Sequence, residues 1–231
     1  MDLSVRSTLP EVLDDEDVDI ADYRRCLAEL AVINRLTLTH RPTLRWLARA
    51  TKALPAGETF SVLDVGYGDG DLLRAIARRA DTPGPRARLS GIDLNPRSAA
   101  VARGATPADM TIDYRTGDVF SYTPDEPVDF IVSSQVTHHL SDEDVVEFLI
   151  WLETNSVYGW HIADLHRHPL AYYGFPVLAG LMRWHPIVRS DGMISVARSF
   201  RRRDWQAYLD KAGLKAEISW HAFRFCVRRI K

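Results

Sequence analysis

The stretch FSVLDVGYGDGDLLRAIARRA, residues 60–80, decides how the rest of the chain is read. A short apolar run suited to a buried strand passes through Asp64 into Gly66, Gly68 and Gly70, and then into a helical pattern. Glycines between strand and helix permit a tight turn and let a ligand reach bare backbone. The spacing alone is a weak signal, because glycine there also serves to pack a helix on a strand. A dinucleotide site calls for GxGxxG with the pyrophosphate on the helix N-terminus. Here Asp69 and Asp71 crowd that helix mouth with negative charge. This suits a ligand with a cationic centre and an ammonium group better than a pyrophosphate.

Working outward, strands and helices alternate. SVLDV, ARLSGIDL, MTIDYRTGDV, VDFIVSS and YGWHIADL read as strands. GDLLRAIARRA, PRSAAVARGA and SDEDVVEFLIWLET read as helices, the last capped by Ser141 with Asp144 three residues on. RRRDWQAYLDKAGL is a further helix closed by Gly213, and KAEISWHAFRFCVRRI gives two strands with a turn near His221. Such alternation predicts an α/β fold, a mostly parallel sheet with helices on both faces. The closing hairpin predicts one antiparallel edge strand. Ahead of this core, residues 20–54 show apolar spacing for one or two helices, with Pro42 opening the second and Pro55 and Gly57 ending the leader. The first 19 or so residues are acidic and read as loose. A single unit over 1–231 is expected, with a helical cap over 1–57, a core over 58–231 and an insert at about 165–198.

Bulk properties exclude several classes. Net charge is −2, with 46% hydrophobic and 26% charged residues, so no broad electrostatic pull towards nucleic acid exists. Arg201, Arg202 and Arg203 read as a solvated face with a partner in Asp204 or the acidic tail. No run approaches a membrane span and no apolar signal core is evident. Cys26 and Cys226 form no ligand spacing or disulfide framework, so a reducing cytoplasm is the expected compartment.

Two more aspartates end successive strands. Asp93 in GIDLNP follows Gly70 by 23 residues, where a carboxylate can accept both hydroxyls of a ribose. Asp118 in TGDVF is placed to bond an adenine amino group. At this point the chain, over about residues 60–231, resembles the class I S-adenosylmethionine-dependent methyltransferases. LDVGYGDG, GIDLNP, TGDVF and FIVSSQVTHHLSDED carry the likeness. The last is similar to the ubiquinone/menaquinone-biosynthesis-like branch acting on small molecules. The resemblance implies a Rossmann-like, seven-stranded fold with S-adenosyl-L-methionine as cofactor and S-adenosyl-L-homocysteine as product. It implies that Asp64 and Gly66 line the methionine end, that Gly68 and Gly70 let the cofactor pass, and that Asp93 holds the ribose. Asp118 and the Val119 amide would read the adenine, with Leu94 and Ser134 completing the set. Tyr67 and Asp69 depart from the smaller residues usual in that loop. TNSVYGW stands where a Pro-Gly-Gly is usual before the fifth strand.

Methyl transfer needs an acceptor aligned with a C–S bond and, for a phenol or enol, a base. His139 after the fourth strand and His166 after the fifth are the candidates. His138 reads as a helix cap or a substrate contact, and His161 as a core histidine. His166 and His168 flank one turn but lack a third ligand, so no metal is expected. The aromatic insert with Tyr172, Phe175 and Met182 reads as a lid on an apolar pocket, a homodimer interface, or core. The leader, with Tyr23, Asn34, His40, Arg41 and Trp46, would close the other side. NRLTLTHRPTLRWL and DLHRHPLAYYG are similar to bacterial methyltransferases of polyketide-type biosynthesis, implying a phenolic or polyketide-like acceptor and O-methylation. A relative that binds the cofactor without methyl transfer, such as a non-methylating cyclase or a regulatory protein, is the alternative. The Asn/Asp-Pro-Pro-aromatic signature of nucleic-acid amino-methylating enzymes is absent after the fourth strand.

Overall fold

The computed structural model describes residues 2–55, 58–80 and 86–231. Two helices lead, α1 (Ile20–Leu36) and α2 (Arg41–Ala50), parting at Leu38, whose φ is +54°. Pro42 lies in the first turn of α2, where its missing N–H breaks no bond. Gly57 falls outside the described residues. The core then runs β1 (Thr59–Val65), α3 (Asp71–Ala80), β2 (Arg86–Asp93), α4 (Pro96–Ala105), β3 (Ile112–Thr116), β4 (Val128–Ser134), α5 (Asp142–Asn155) and β5 (Ser156–Leu165). The insert is a helical pair, α6 (Pro169–Leu181) and α7 (Pro186–Arg198), and α8 (Arg202–Lys211), β6 (Glu217–His221) and β7 (Arg224–Ile230) follow. No helix among the described residues is long and apolar enough to cross a membrane.

The seven strands form one sheet in the order β3-β2-β1-β4-β5-β7-β6. Only β7 opposes its neighbours. It does not take the edge that the hairpin suggests. It inserts between β5 and β6, and β6 becomes the edge. The turn between them uses positive φ at Ala222 (45°) and Phe223 (61°), the handedness that matches strand twist.

Side chains alternate along each strand, and the two faces bury separate cores. Phe60, Val62, Phe130 and Val132 pack under Trp46 and Leu47 of α2 and Leu72, Leu73 and Ile76 of α3. Leu63, Val65, Ile131, Trp160 and Ile162 pack under Phe148 and Leu152 of α5 and Trp205 of α8. β1 has β2 on one side and β4 on the other, both parallel. The chain order reverses there, so a crevice opens beyond the tips of β1 and β4. Asp64 continues the Phe60–Val62 row and Ser134 the Phe130–Val132 row. The period of two therefore delivers both to the same face at that crevice.

The N-terminal segment is not loose. Ser7 N–H donates to Ala197 O at 3.0 Å, and the Leu3 carbonyl accepts from Arg167 and Arg201. Val12 and Leu13 amides, in a 3-10 turn, both donate to the Asp191 carboxylate. Arg6 lies 4.4 Å over the Phe200 ring. Arg203 also bonds the Ser4 carbonyl and Arg202 the Ile218 carbonyl, so this basic cluster mainly serves backbone oxygens.

Candidate functional site

A cavity opens at the crevice, walled by the glycine turn after β1, the tip of β4 and one face of α1. Leu27, Leu30 and Ala31 give its apolar wall, and Asn34, His40, Asp64, Asp71, Ser134 and Gln135 its polar one. Asp64 and Ser134 each present a buried oxygen with no partner among the described residues. Asp64 is 2% exposed and its Oδ1 accepts no hydrogen bond, and Ser134 Oγ is also buried and unpaired. Buried polar atoms are normally satisfied, so these two await one. Burial, with the charges of Asp71 and Asp93, pushes the Asp64 carboxyl well above its ordinary range.

The three glycines all adopt positive φ, 73°, 56° and 80°. Their missing Cβ atoms are not equivalent. A Cβ on Gly66 would lie 2.2 Å from Val136 Cγ2, and one on Gly70 2.3 Å from the Tyr114 hydroxyl. These two are held open by packing. At Gly68 the nearest atom is Leu27 Cδ2 at 3.9 Å, so its bare backbone faces room.

The aspartates at the helix mouth are neutralised locally. Asp69 pairs with Arg74 at 3.0 Å. Asp71 Oδ2 accepts from His40 Nε2 at 2.8 Å and from Asn34 Nδ2 at 2.9 Å. Burial would raise Asp71, but the His40 and Asn34 bonds outweigh it and hold the carboxyl below its usual range. Gln135, with φ +59°, donates to Asn34 Oδ1 at 2.8 Å and completes a chain Gln135–Asn34–Asp71–His40. His40 Nδ1 is buried and unpartnered. The sequence places Asn34 and His40 only on a wall and passes over Gln135. Nothing local marks the pairing, which depends on α1 crossing the β4 tip.

Asp93 Oδ2 accepts from Gly68 N at 2.8 Å and Oδ1 from Asn95 N at 2.9 Å, which orients the carboxylate beside the turn. Gly117 N donates to Asp93 O, bringing the loop after β3 alongside. Leu94 is exposed there, Asp118 Oδ1 accepts from Phe120 N, and Val119 is half-buried. The expected cofactor residues thus gather along neighbouring strand tips.

The expected acceptor residues do not. His166 follows β5 on the β7 side, bonded by Trp220 Nε1 at 3.2 Å, away from the cavity. Burial and the charges of His168, Arg201 and Arg167 lower it to about 4. Arg41 is exposed near His221, whose pKa is lowered by burial and by the charges of Arg45 and Arg41. Phe175 stacks on Trp184 and fills the space over Gly192 of α7, Tyr172 packs edge-on to Tyr173, and Met182 is 44% exposed. None of these lines the cavity described. His161 is a core histidine against Trp46, lowered to about 3 by burial first.

The paired histidines form a second cluster. His138 does not cap α5, since Ser141 and Asp144 make that capping box themselves. Its Nδ1 lies 2.7 Å from Asp164 Oδ1 and its Nε2 3.5 Å from Glu11 Oε1. Burial opposes its charge, but Asp164 and Glu11 outweigh burial and raise it to about 10. His139 Nδ1 lies 3.0 Å from Asp14 Oδ2.

Residues 62–152 match the family described as a methyltransferase domain. Trans-aconitate 2-methyltransferase of Streptomyces avermitilis is 35% identical over 97 residues, 41% of this chain and 34% of that protein. Indolepyruvate C-methyltransferase of Streptomyces griseus is 32% identical over 88 residues, 36% and 25% of the two chains. The chain spans about a third or less of the length of these relatives. The plantazolicin methyltransferase BpumL, solved in complex with S-adenosyl-L-homocysteine, has a TM-score of 0.64 at 14% identity over 95% of this chain and 87% of that one. Residues 62–152 thus match a methyltransferase domain, and the fold of the whole chain is that of a solved methyltransferase bound to S-adenosyl-L-homocysteine.

Proposed function

We propose that this chain transfers a methyl group from S-adenosyl-L-methionine to a small phenolic or polyketide-like acceptor at oxygen. The observation that carries the reading is the pair of unpaired buried acceptors, Asp64 Oδ1 and Ser134 Oγ, facing one cavity with the open backbone of Gly68. Those acceptors fit the ammonium of an amino-acid moiety. Asp93 fits a ribose diol, and Asp118 with the Val119 amide an adenine edge. When bound, the cofactor supplies a methyl already activated on a sulfonium. The residues of this chain then have to hold, align and deprotonate. An acceptor hydroxyl would have to give up its proton to a base of this chain as it is methylated. His40 is the base that the geometry supports. Asp71 takes its Nε2–H, which leaves the Nδ1 lone pair free on the cavity wall. His139, favoured by its position after β4, turns instead to Asp14 and Glu11. The apolar wall of Leu27, Leu30 and Ala31 supports an aromatic or polyketide-like acceptor over a charged one.

The test is the release of S-adenosyl-L-homocysteine with a panel of phenolic and enolic acceptors. His40→Gln is expected to lower turnover about 10²-fold or more with cofactor affinity retained. Full activity in His40→Gln, with loss in His139→Gln, would assign the proton to the other histidine. Cofactor binding with no turnover on any acceptor would favour a non-methylating relative.

A further inference from the structure

We propose that Glu11, His138 and His139 form a site for one divalent transition-metal cation of the zinc type, clasping the N-terminal segment to the loop after β4. The donor atoms of all three lie within 4.8 Å of one another. Glu11 Oε1 is 3.5 Å from His138 Nε2, and Glu11 Oε2 is 3.9 Å from His139 Nε2. Ligands about 2.1 Å from a tetrahedral cation stand about 3.4 Å apart, so the two Glu11 separations close with shifts of about half an ångström or less, and the widest donor pair by about 1.4 Å at most.

The outer shell is what separates this cluster from a chance meeting of polar side chains. A histidine that ligates through one nitrogen needs the other held by an acceptor, which fixes ring and tautomer. Both histidines have this. His138 Nδ1 donates to Asp164, itself fixed by Thr137 Oγ1 and by the His138 and Leu165 amides. His139 Nδ1 donates to Asp14 at 3.0 Å. Both Nε2 atoms then turn towards the same Glu11 carboxylate. Glu11 is fixed in turn by Ser195 Oγ at 2.9 Å. Glu11 and His138 are buried, while His139 is half-buried and gives a route of entry.

Charge points the same way. Three carboxylates, Glu11, Asp14 and Asp164, converge on two imidazoles. The nearby cations are occupied elsewhere: Arg198 bonds the carbonyls of His138, His139 and Leu9, and Arg6 bonds those of His138 and Leu140 and the Asp142 carboxylate. Imidazole with carboxylate suits zinc, cobalt or nickel better than magnesium or calcium. Three protein ligands leave at least one position open. Two consequences follow. The cation would tie residue 11 to residues 138 and 139, so metal and strap stabilise one another. A His139 that ligates through Nε2 and donates through Nδ1 keeps no lone pair, which leaves proton acceptance to His40. The site itself does not depend on the methyl-transfer reading.

The test uses the full-length, tag-free chain stripped with a chelator and titrated with Co²⁺, followed by visible ligand-field absorption, and with Zn²⁺ by calorimetry. One equivalent of each is expected to bind, with a rise in melting temperature. Glu11→Gln and His139→Ala are each expected to abolish the Co²⁺ bands. Asp14→Asn, which keeps all three ligands, is expected to weaken Zn²⁺ about 10-fold or more. His166→Ala should leave the titration unchanged. Absence of Co²⁺ bands and of Zn²⁺ heat in the unsubstituted chain would overturn the proposal whatever the variants do. Binding that survives Glu11→Gln and His139→Ala, or that His166→Ala removes, would overturn it equally.

Discussion

At the scale of single residues, the glycine turn divides into two jobs. Gly66 and Gly70 make room for Val136 and Tyr114, whereas Gly68 leaves its backbone open to the cavity. Gly70→Ala adds a clash to the left-handed strain of about 1–2 kcal/mol that any such residue carries. Gly68→Ala carries the strain alone. Thermal melts should therefore show Gly70→Ala well below Gly68→Ala, while calorimetry should show the larger loss of cofactor affinity in Gly68→Ala. The reverse ordering would mean that Gly68 is the packing glycine. The sequence shows three glycines and no way to tell them apart, because the side chains that distinguish them lie far along the chain, Val136 beyond Gly66 and Tyr114 beyond Gly70.

Asp64 carries a pH signature at the same scale. Its folded pKa is raised, so the unliganded protein keeps it protonated over a window above the ordinary carboxylate value of about 3.9. The stability this contributes is full below the unfolded pKa and is lost as pH rises through the folded one. A cationic ligand needs the ionised form. Affinity for S-adenosyl-L-homocysteine should thus rise with pH across that window and binding should release a proton, measurable by calorimetry in buffers of different ionisation enthalpy. Proton uptake on binding would contradict the assignment.

At the scale of elements, the strand–helix alternation was legible because buried parallel strands and amphipathic helices carry different periods. The capping box at Ser141 and Asp144 formed as local chemistry requires. What stayed hidden was lateral placement. His166 follows a strand as His139 does, yet β5 borders β7 and so delivers His166 to Trp220. The acidic N-terminal segment reads as loose because its anchors are backbone groups meeting side chains 164 to 198 residues away. Asp191 is the simplest of these to cut. Asp191→Ala leaves the Val12 and Leu13 amides without their acceptor, at a cost of about 1–3 kcal/mol. Hydrogen exchange should accelerate at residues 11–14 and stay slow in β1 and β4. Unchanged protection at 11–14 would show that the strap is held elsewhere.

At the scale of the whole molecule, the order β3-β2-β1-β4-β5-β7-β6 places the reversal between β2 and β4, and the cavity follows from it. That Asp64, Asp93 and Ser134 end neighbouring strands was readable from sequence because strand tips at a reversal converge in any sheet of this order. The acceptor side was not, because it depends on how the leader crosses the sheet. There α1 brings Asn34 over the tip of β4 to Gln135 and the α1–α2 turn brings His40 to Asp71, while α6 points Leu170, Tyr173, Val177 and Leu181 to solvent. Asp64 at the tip of β1 is the residue proposed to hold the cationic end of the cofactor, and that role decides the rest. It is tested most directly by calorimetry of S-adenosyl-L-homocysteine against the unsubstituted chain and Asp64→Asn. One molecule should bind per chain, with an affinity at least about 10-fold weaker in Asp64→Asn for a loss of about 1.5–3 kcal/mol, and the unliganded variant should melt no lower than the parent. No binding to the unsubstituted chain, or equal affinity in the two, would contradict it.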